Sequence, residues 1–255
     1  MRKRYIVLAS LIAFVLIGVI IYISIPKKTQ KIEREVFLPS ILSDSLNREE
    51  EILNFYGKGN NYWVLYIPFS NDDVLDDSFN TFMAKLNNLH IKCILYITGD
   101  YDNAIAKIKT YNNSFTNDIK EIIVEELFID GIDDSISRLN YKIELGNKNK
   151  INVHLLTNIT STNEEVLNKI MRKCNRIVFK IDTSDYLNEI KEEIVYCDEK
   201  QSKEISLMFC FNDSDFVISD KSDILAIIKN IRDKYNVVLF NWTFYTDNLN
   251  LLPWN

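Results

Sequence analysis

Three aspartates follow an apolar segment near the middle of the chain, and one of only six glycines stands among them. The segment 122–130 reads IIVEELFID and ends at Asp130; Gly131 follows it, and Asp133 and Asp134 come shortly after. A carboxylate at the end of a buried strand can act as a general acid, a general base or a nucleophile. A glycine beside it lets the chain turn sharply or lets a ligand approach closely. Asp130 is therefore the central candidate for catalysis.

Hydrolysis of a glycosidic bond uses two carboxyl groups, about 5–5.5 Å apart for retention of configuration and about 6.5–9.5 Å apart for inversion. Asp133 is the partner that we predict for Asp130, and Asp100 and Asp182 are the alternatives. Aspartates also end strands because they form turns and cap helices. For each of these residues that second interpretation stays open.

Seven short apolar segments, rich in β-branched and aromatic residues, alternate with amphipathic helical patterns along the chain. The segments are 61–68, 91–98, 122–130, 151–158, 176–182, 205–212 and 236–245. This alternation predicts parallel strands joined by helices, and strands that are apolar throughout fit a sheet covered by helices. We predict an α/β fold, a complete or incomplete (β/α)-barrel of the TIM type, with an open doubly wound sheet as the alternative.

Chemistry in such a barrel takes place where the strands end. The residues predicted at these ends, beside Asp130 and Asp133, are Tyr66, Tyr96, Asp100, Asn158, Asp182 and Trp242. Carboxylates and amides bind sugar hydroxyls and flat rings cover the apolar faces of pyranoses, whereas a phosphate site needs Arg, Lys or a glycine-rich helix start. We predict that these six residues bind a sugar substrate. Glu125 and Glu126 fall near the start of the segment 122–130, which disfavours them as site residues.

Composition and motifs exclude several other classes of function. The formal net charge is −6, and no Lys/Arg cluster contains interleaved aromatic residues, so nucleic acid is not expected as a partner. Neither a dinucleotide fingerprint nor a P-loop is present, so no cofactor is predicted. The four cysteines form no C-x-x-C pair and the two histidines lack metal-ligand spacing. No metal site is therefore predicted, and the thiols are interpreted as buried.

The first residues predict a membrane anchor. The segment 5–26 is uncharged and apolar, and at about 1.5 Å per residue a helix of this length crosses the roughly 30 Å hydrocarbon core. We predict a cytoplasmic tail at 1–4, a transmembrane signal anchor at 5–26, a stalk and entry segment at 27–53 and a barrel domain at 54–255. The short basic tail favours an N-terminus in the cytoplasm and a barrel domain outside the cell.

Four stretches of the sequence resemble a known group of glycosidases. They are LYIP at 65–68, the strand and helix pattern at 91–113, ELFIDGID at 126–133 and RIVFKID at 176–182. Together they resemble the spherulation-specific family and the related endo-α-1,4-polygalactosaminidase-type glycosidases. The resemblance implies a secreted (β/α)-barrel that acts on galactosamine-containing polysaccharides, with Asp130 as its catalytic aspartate. That family has an acidic residue directly after the aspartate, where this chain has Gly131.

We therefore predict a membrane-anchored, extracytoplasmic glycoside-hydrolase-like barrel that acts on an amino-sugar-containing polysaccharide through a carboxylate pair. Its partners are then a polysaccharide or cell-surface glycan and, through the N-terminal helix, the membrane. Two alternatives stay open. One is a catalytically inactive barrel of the same ancestry that binds glycan or a surface protein, and the other is a purely structural domain tethered to the membrane.

Overall fold

The computed structural model describes most of the first half of the barrel and the strands of the second half. The described residues are 34–38, 42–56, 63–126, 132–158, 173–174, 176–181, 204–210, 226, 229 and 241–245. All of them belong to the unit Ile32–Asn255, and the other unit of the chain is Met1–Lys31. The predicted anchor at 5–26 therefore lies outside the described residues. Among the helices that are described, none is long and apolar enough to span a membrane.

The described strands form a closed barrel in which each strand runs parallel to its two neighbours. In chain order the elements are β1 (Arg34–Phe37), α1 (Leu42–Asn47), α2 (Glu49–Tyr56), β2 (Trp63–Phe69), α3 (Asp77–Asn88), β3 (Ile91–Ile97), α4 (Tyr101–Ser114), β4 (Glu121–Glu125), α5 (Ile132–Lys148), β5 (Asn152–Asn158), β6 (Arg176–Ile181), β7 (Glu204–Cys210) and β8 (Asn241–Tyr245). The strand order around the barrel follows the chain, and β8 pairs with β1. This closure rules out the open doubly wound sheet and confirms the predicted (β/α)-barrel.

The first strand of the barrel lies inside the segment 27–53, which the sequence analysis assigned to a stalk. β1 pairs with β2 on one side and with β8 on the other. Its four residues, REVF, include two charged ones, so no apolar pattern marks it as a strand. The charge of Glu35 is balanced by Arg176, 141 positions later, and no local pattern can indicate such a partner.

Helix α3 shows why local sequence forms these helices. The carboxylate of Asp76 accepts hydrogen bonds from the backbone N–H groups of Ser78 and Phe79, at 2.9 and 3.1 Å, and so caps the first turn. Four residues at helical spacing form the buried face of the helix: Phe79, Phe82, Met83 and Leu86. This face packs against the outer side of the strands, in the main apolar cluster of the chain.

A second, smaller apolar cluster fills the inside of the barrel. It comprises Phe37, Val64, Tyr66, Ile94, Ile123, Leu156 and Val178, with Tyr96 packed against it. Strands β1 to β6 contribute residues to this inner cluster and their neighbours in sequence to the outer one, as the two-residue period of a strand requires. Most residues of these six strands are therefore apolar on both sides, which is the pattern by which the sequence predicted β2 to β6.

Strand β4 ends earlier than the sequence predicted. It covers Glu121–Glu125, so Glu125 is its last residue rather than a residue near its start. The backbone N–H of Glu126 still pairs with the carbonyl of Leu156 on β5, at 3.0 Å. Asp130 therefore comes five residues after the strand, in the stretch 127–131 that lies outside the described residues.

The inside of the barrel also holds a buried ion pair. Nη1 of Arg176 on β6 lies 2.8 Å from Oε1 of Glu35 on β1, and both side chains are fully buried. The hydroxyl of Tyr66 donates to Oε2 of Glu35 at 3.2 Å and accepts from Arg176 at 3.0 Å. Burying one ion alone costs several kcal/mol, roughly 3–5 when its partner is removed. The pair is stable because each member satisfies the other.

We expect Glu35→Gln to lower the free energy of unfolding by about 3–5 kcal/mol, because it removes the negative charge that lies 2.8 Å from the buried guanidinium of Arg176. The measurement is urea unfolding of the full chain in mild detergent, followed by circular dichroism. Glu51→Gln is the control; its exposed pair with Arg48, at 2.9 Å, should be worth only about 0–1 kcal/mol. Equal losses in the two variants would contradict this account. The double change Glu35→Met with Arg176→Met should restore much of the loss, since it removes both ions of this pair from the interior.

A second group of charges lies at the amino end of the barrel. Oε2 of Glu121 is 2.9 Å from Nε2 of His154 and 2.9 Å from Nζ of Lys92. Burial by itself raises the pKa of Glu121, but the hydrogen bonds with His154 and Lys92 and their charges outweigh it and lower the pKa to about 2. Glu121 therefore stays ionised in the folded chain well below the pH at which an ordinary glutamate is protonated.

This lowered pKa predicts a pH dependence of stability. The folded pKa of about 2 lies below the ordinary value of 4.5, so ionised Glu121 stabilises the fold fully above about pH 5. That contribution, at most about 3 kcal/mol, is lost as the pH falls towards 2. Urea midpoints measured between pH 6 and pH 2 should fall less steeply for Glu121→Gln than for the unchanged chain. Parallel curves for the two proteins would show that Glu121 titrates normally.

Candidate functional site

A tyrosine and a glutamate meet at the carboxyl ends of two neighbouring strands. The hydroxyl of Tyr96 on β3 donates to Oε2 of Glu125, the last residue of β4, at 2.7 Å. Both side chains are half-buried. Within the part of the chain that the structure describes, no group donates to the other carboxylate oxygen, Oε1. The pair thus presents one oriented carboxylate at the end of the barrel where (β/α)-barrels place their chemistry.

Aromatic rings pack beneath this pair. The ring of Phe37, at the end of β1, stacks on that of Tyr66 with a centroid distance of 4.0 Å and an angle of 9°. Tyr96 meets Phe37 edge to face, at 5.7 Å and 75°. These contacts fix the ring of Tyr96 and therefore the hydroxyl that holds Glu125. Through Tyr66 they also join the pair to the buried ions Glu35 and Arg176.

Two loops beside the site are locked together. The side-chain oxygen of Asn71, after β2, accepts from the backbone N–H of Asp100, after β3, at 2.9 Å. A Cβ at Gly99 would lie 2.5 Å from that oxygen and 2.9 Å from the backbone N of Asn71, so only glycine permits this approach. Lys107 reaches back from α4 and donates to the carbonyl of Asp73, at 2.8 Å. The loops after β2 and β3 are therefore held in place by hydrogen bonds on this side of the barrel.

Two of the predicted substrate-binding residues take part in internal contacts. Tyr66 is fully buried between Glu35 and Arg176, beneath the end of the barrel. Tyr96 is at the end itself and holds Glu125. Both were predicted to bind sugar because the sequence put them at the ends of strands and their rings are flat. The structure adds which partner each hydroxyl binds.

Asp100 serves as the cap of α4. Its Oδ1 accepts from the backbone N–H of Asn103 at 2.8 Å, and its side chain is exposed. This is the capping interpretation that the sequence left open. Its place in the candidate site is beside Asn71 on the rim, and a contact with substrate stays a prediction.

Three of the remaining predicted residues are described, and two are not. Asp133 is exposed in the first turn of α5. Asn158 ends β5, as predicted, and pairs in register with Lys180. Trp242 is the second residue of β8, paired with Leu207 and Arg34, so it lies near the amino end of its strand and not at the carboxyl end, where it was predicted. Asp130 and Asp182 are not among the described residues. The carboxylate pair of Asp130 with Asp133 therefore stays a prediction.

Glu125 is the residue that the sequence analysis passed over. Its signal was the doublet Glu125-Glu126 directly after the apolar residues of β4. Two successive charges interrupt the apolar pattern of the segment 122–130, and the structure shows that the first of them is the last residue of β4. Glu126 has a structural role: it forms ion pairs with Arg138 and Lys142 of α5, at 2.7 and 3.0 Å. Glu125 has no such ion pair among the described residues, and its side chain contacts Tyr96 instead.

Metal binding finds no support in the described part of the chain, where no group of three or more His, Cys, Asp or Glu residues could hold an ion. Cys93 and Cys174 are not joined in a disulfide bond. Neither lies beside Glu125 in the contacts above.

Comparison with known proteins supports the fold and goes no further. No protein-family model matches the chain, and no curated protein sequence matches it. A solved structure described as a fructose-1,6-biphosphate aldolase from Coccidioides immitis is 12% identical, over 85% of this chain and 75% of that chain, with a TM-score of 0.51. Tryptophan synthase from M. tuberculosis is 8% identical, over 84% of this chain and 83% of that chain, also with a TM-score of 0.51. The GH18 chitinase ChiB of Flavobacterium johnsoniae is 13% identical, over 87% and 89%, with a TM-score of 0.49, which is too low to bear on function.

The cap formed by Asp100 can be tested directly. Asp100→Ala should lower the free energy of unfolding by about 1 kcal/mol, because it removes the acceptor for the first turn of α4. Asp100→Asn keeps an acceptor oxygen and should cost much less. Urea unfolding of the two variants measures the difference. If Asp100→Asn is as unstable as Asp100→Ala, the hydrogen bond to Asn103 is not the cause.

Proposed function

We propose that the chain is a membrane-anchored, extracytoplasmic glycoside-hydrolase-like barrel that binds an amino-sugar-containing polysaccharide at the carboxyl end of its strands. The observation that supports this best is the pair of Tyr96 and Glu125. A strand-end carboxylate with one oxygen held by a hydroxyl and the other available to a ligand is suited to bind or attack a sugar ring.

Two parts of this proposal rest on the sequence alone. The anchor and the placement outside the cell follow from residues 1–26. The amino-sugar substrate follows from the resemblance to polygalactosaminidase-type glycosidases. A de-acetylated amino sugar carries an ammonium group, which a carboxylate such as Glu125 attracts, and its apolar ring face can pack on an aromatic side chain such as Tyr96.

In the proposed reaction Glu125 acts with a second carboxyl group. At a separation of about 5–5.5 Å it attacks the anomeric carbon and forms a glycosyl intermediate, while the partner protonates the leaving oxygen; at about 6.5–9.5 Å it instead takes a proton from the attacking water. Asp130 and Asp182 are the proposed partners. Asp133 is the third, although its place in the first turn of α5 also suits a carboxylate that stabilises the helix dipole.

A catalytically inactive barrel that binds glycan is the second candidate. The observation that favours it is the engagement of the neighbouring aspartates. Asp73 accepts from the backbone N–H and hydroxyl of Ser70, at 2.6 and 2.8 Å, and Asp100 caps α4. Neither is therefore presented as a second carboxylate for Glu125.

One experiment separates these candidates. The full chain in mild detergent is incubated with galactosamine-rich and N-acetylglucosamine-rich polysaccharides, and new reducing ends and glycan binding are both measured. We expect Glu125→Gln to lower the rate about 10²–10⁴-fold, as removal of an acid–base group does, with binding retained. Asp130→Asn and Asp133→Asn identify the partner. Glu144→Gln is the matched control, because Glu144 is exposed on α5.

Each outcome decides between the proposals. Loss in Glu125→Gln but not in Glu144→Gln supports the enzyme. Glycan binding without new reducing ends in any protein supports the inactive barrel. Activity that survives in Glu125→Gln would remove Glu125 from the mechanism, and neither activity nor binding would contradict both candidates.

A further inference from the structure

A basic groove lies at the amino end of the barrel, away from the carboxyl ends of the strands where Glu125 stands. It has a volume of about 520 Å³ and lies between the last turns of α4 and α5 and the starts of β4 and β5. Four lysines line it: Lys109, Lys120, Lys148 and Lys150. We call these residues the lysine groove. One carboxylate, Asp118, shares it.

The charge of the lysine groove is not balanced by ion pairs. Other lysines of the barrel have carboxylate partners: Lys85 binds Glu49 and Lys142 binds Glu126. The four groove lysines are exposed, and within the described part of the chain none has a carboxylate within salt-bridge distance. Four positive charges against the single negative charge of Asp118 leave a local charge of about +3 on a chain whose formal net charge is −6.

The walls of the groove are held in place by backbone and amide contacts. The side chain of Asn112 donates to the carbonyl of Ile119 at 2.9 Å and accepts from its N–H at 2.8 Å. The N–H of Asn152 donates to the carbonyl of Lys120 at 2.8 Å. These bonds join the end of α4 to the starts of β4 and β5. The lysines therefore stand on a preformed surface, which lowers the cost of ordering it around a ligand.

Lys150 occupies a backbone position that favours glycine. It follows α5 with a φ of 60°, and the N–H of Ile151 closes the turn on the carbonyl of Gly146 at 2.9 Å. A left-handed conformation costs a residue with a Cβ about 1–2 kcal/mol. His90 has the same conformation, with a φ of 59°, in the turn before β3. A positive φ at Lys150 therefore does not by itself mark a ligand site. It does mean that Lys150→Gly removes a positive charge and relieves the backbone strain of the turn at the same time.

We propose that the lysine groove binds a phosphate-bearing anion. Ammonium groups bind phosphate as point charges, and the neighbouring asparagines can add hydrogen bonds to its oxygens. None of the described residues that line the groove is aromatic, so a base has no ring among them on which to stack, and single-stranded nucleic acid is disfavoured as the ligand. Two sources supply this chemistry: the headgroup of an anionic phospholipid, and free phosphate or polyphosphate.

The test measures binding to the full chain in mild detergent by isothermal titration calorimetry. One arm titrates short-chain phosphatidylglycerol, with phosphatidylcholine as its neutral control, and the other titrates inorganic phosphate and polyphosphate. We expect each change of a groove lysine to Gln to weaken binding about fivefold, since one lysine near an anionic surface contributes about 1 kcal/mol. Lys229→Gln is the control, because Lys229 is exposed elsewhere on the barrel. Binding should also weaken as salt is added.

Lys150→Gly distinguishes a loss of binding caused by the missing charge from one caused by misfolding. It should weaken binding as much as Lys150→Gln while raising the thermal midpoint of the chain, because glycine relieves the left-handed turn. Binding of phosphatidylglycerol alone assigns the groove to lipid headgroups, and binding of phosphate or polyphosphate as well assigns it to free phosphate. No binding in either arm, or affinities that the four lysine variants leave unchanged, would overturn the proposal. Glycan cleavage at the other end should be the same in all these variants.

Discussion

The ion pair between Glu35 and Arg176 is the contact on which the rest of the barrel depends. It joins β1 to β6 across 141 residues of sequence, and both side chains are fully buried. A buried charge is costly without a partner, so this pair links β1 to β6 across the interior of the barrel, while β1 itself pairs with β2 and β8. Tyr66 binds both ions and carries Phe37 on its ring. Phe37 in turn contacts Tyr96, which holds Glu125.

The contacts that stabilise the barrel lie in its interior, whereas the candidate site lies at the carboxyl end of the strands. Inside the described part of the barrel, Glu35 is paired with Arg176 and the rings of Phe37 and Tyr66 are stacked, so these groups stabilise the fold. Towards the carboxyl end, the contacts of the described residues leave one oxygen of Glu125 for a ligand. At the amino end, Glu121 is held by Lys92 and His154, whereas the lysine groove beside it keeps its charges exposed. The two ends of the barrel thus differ in sign as well as in role: an anionic site at one and a cationic groove at the other.

The fold was predictable because its signals are local. A strand that packs on both sides is apolar at every position, and a helix such as α3 shows its cap and buried face within a dozen residues. The end of β4 was misplaced because the residues after Glu125 remain apolar, so the segment 122–130 reads as one long strand. β1 was missed for the opposite reason: Glu35 is a charge, and only its distant partner makes it an interior residue.

The sequence by itself determined the class of the protein: strands and helices in alternation, and an apolar N-terminal segment before them. It also placed Tyr66 and Tyr96 in strands of the barrel, because their neighbours carry the pattern. Only the tertiary structure decided which carboxylate meets Tyr96, since that depends on the register between β3 and β4. It alone gathered Lys109, Lys120, Lys148 and Lys150 into one groove, because parallel strands return the chain to the same end of the barrel after every helix. Lysines that are far apart in the sequence therefore come together only because the chain comes back to the same end of the barrel.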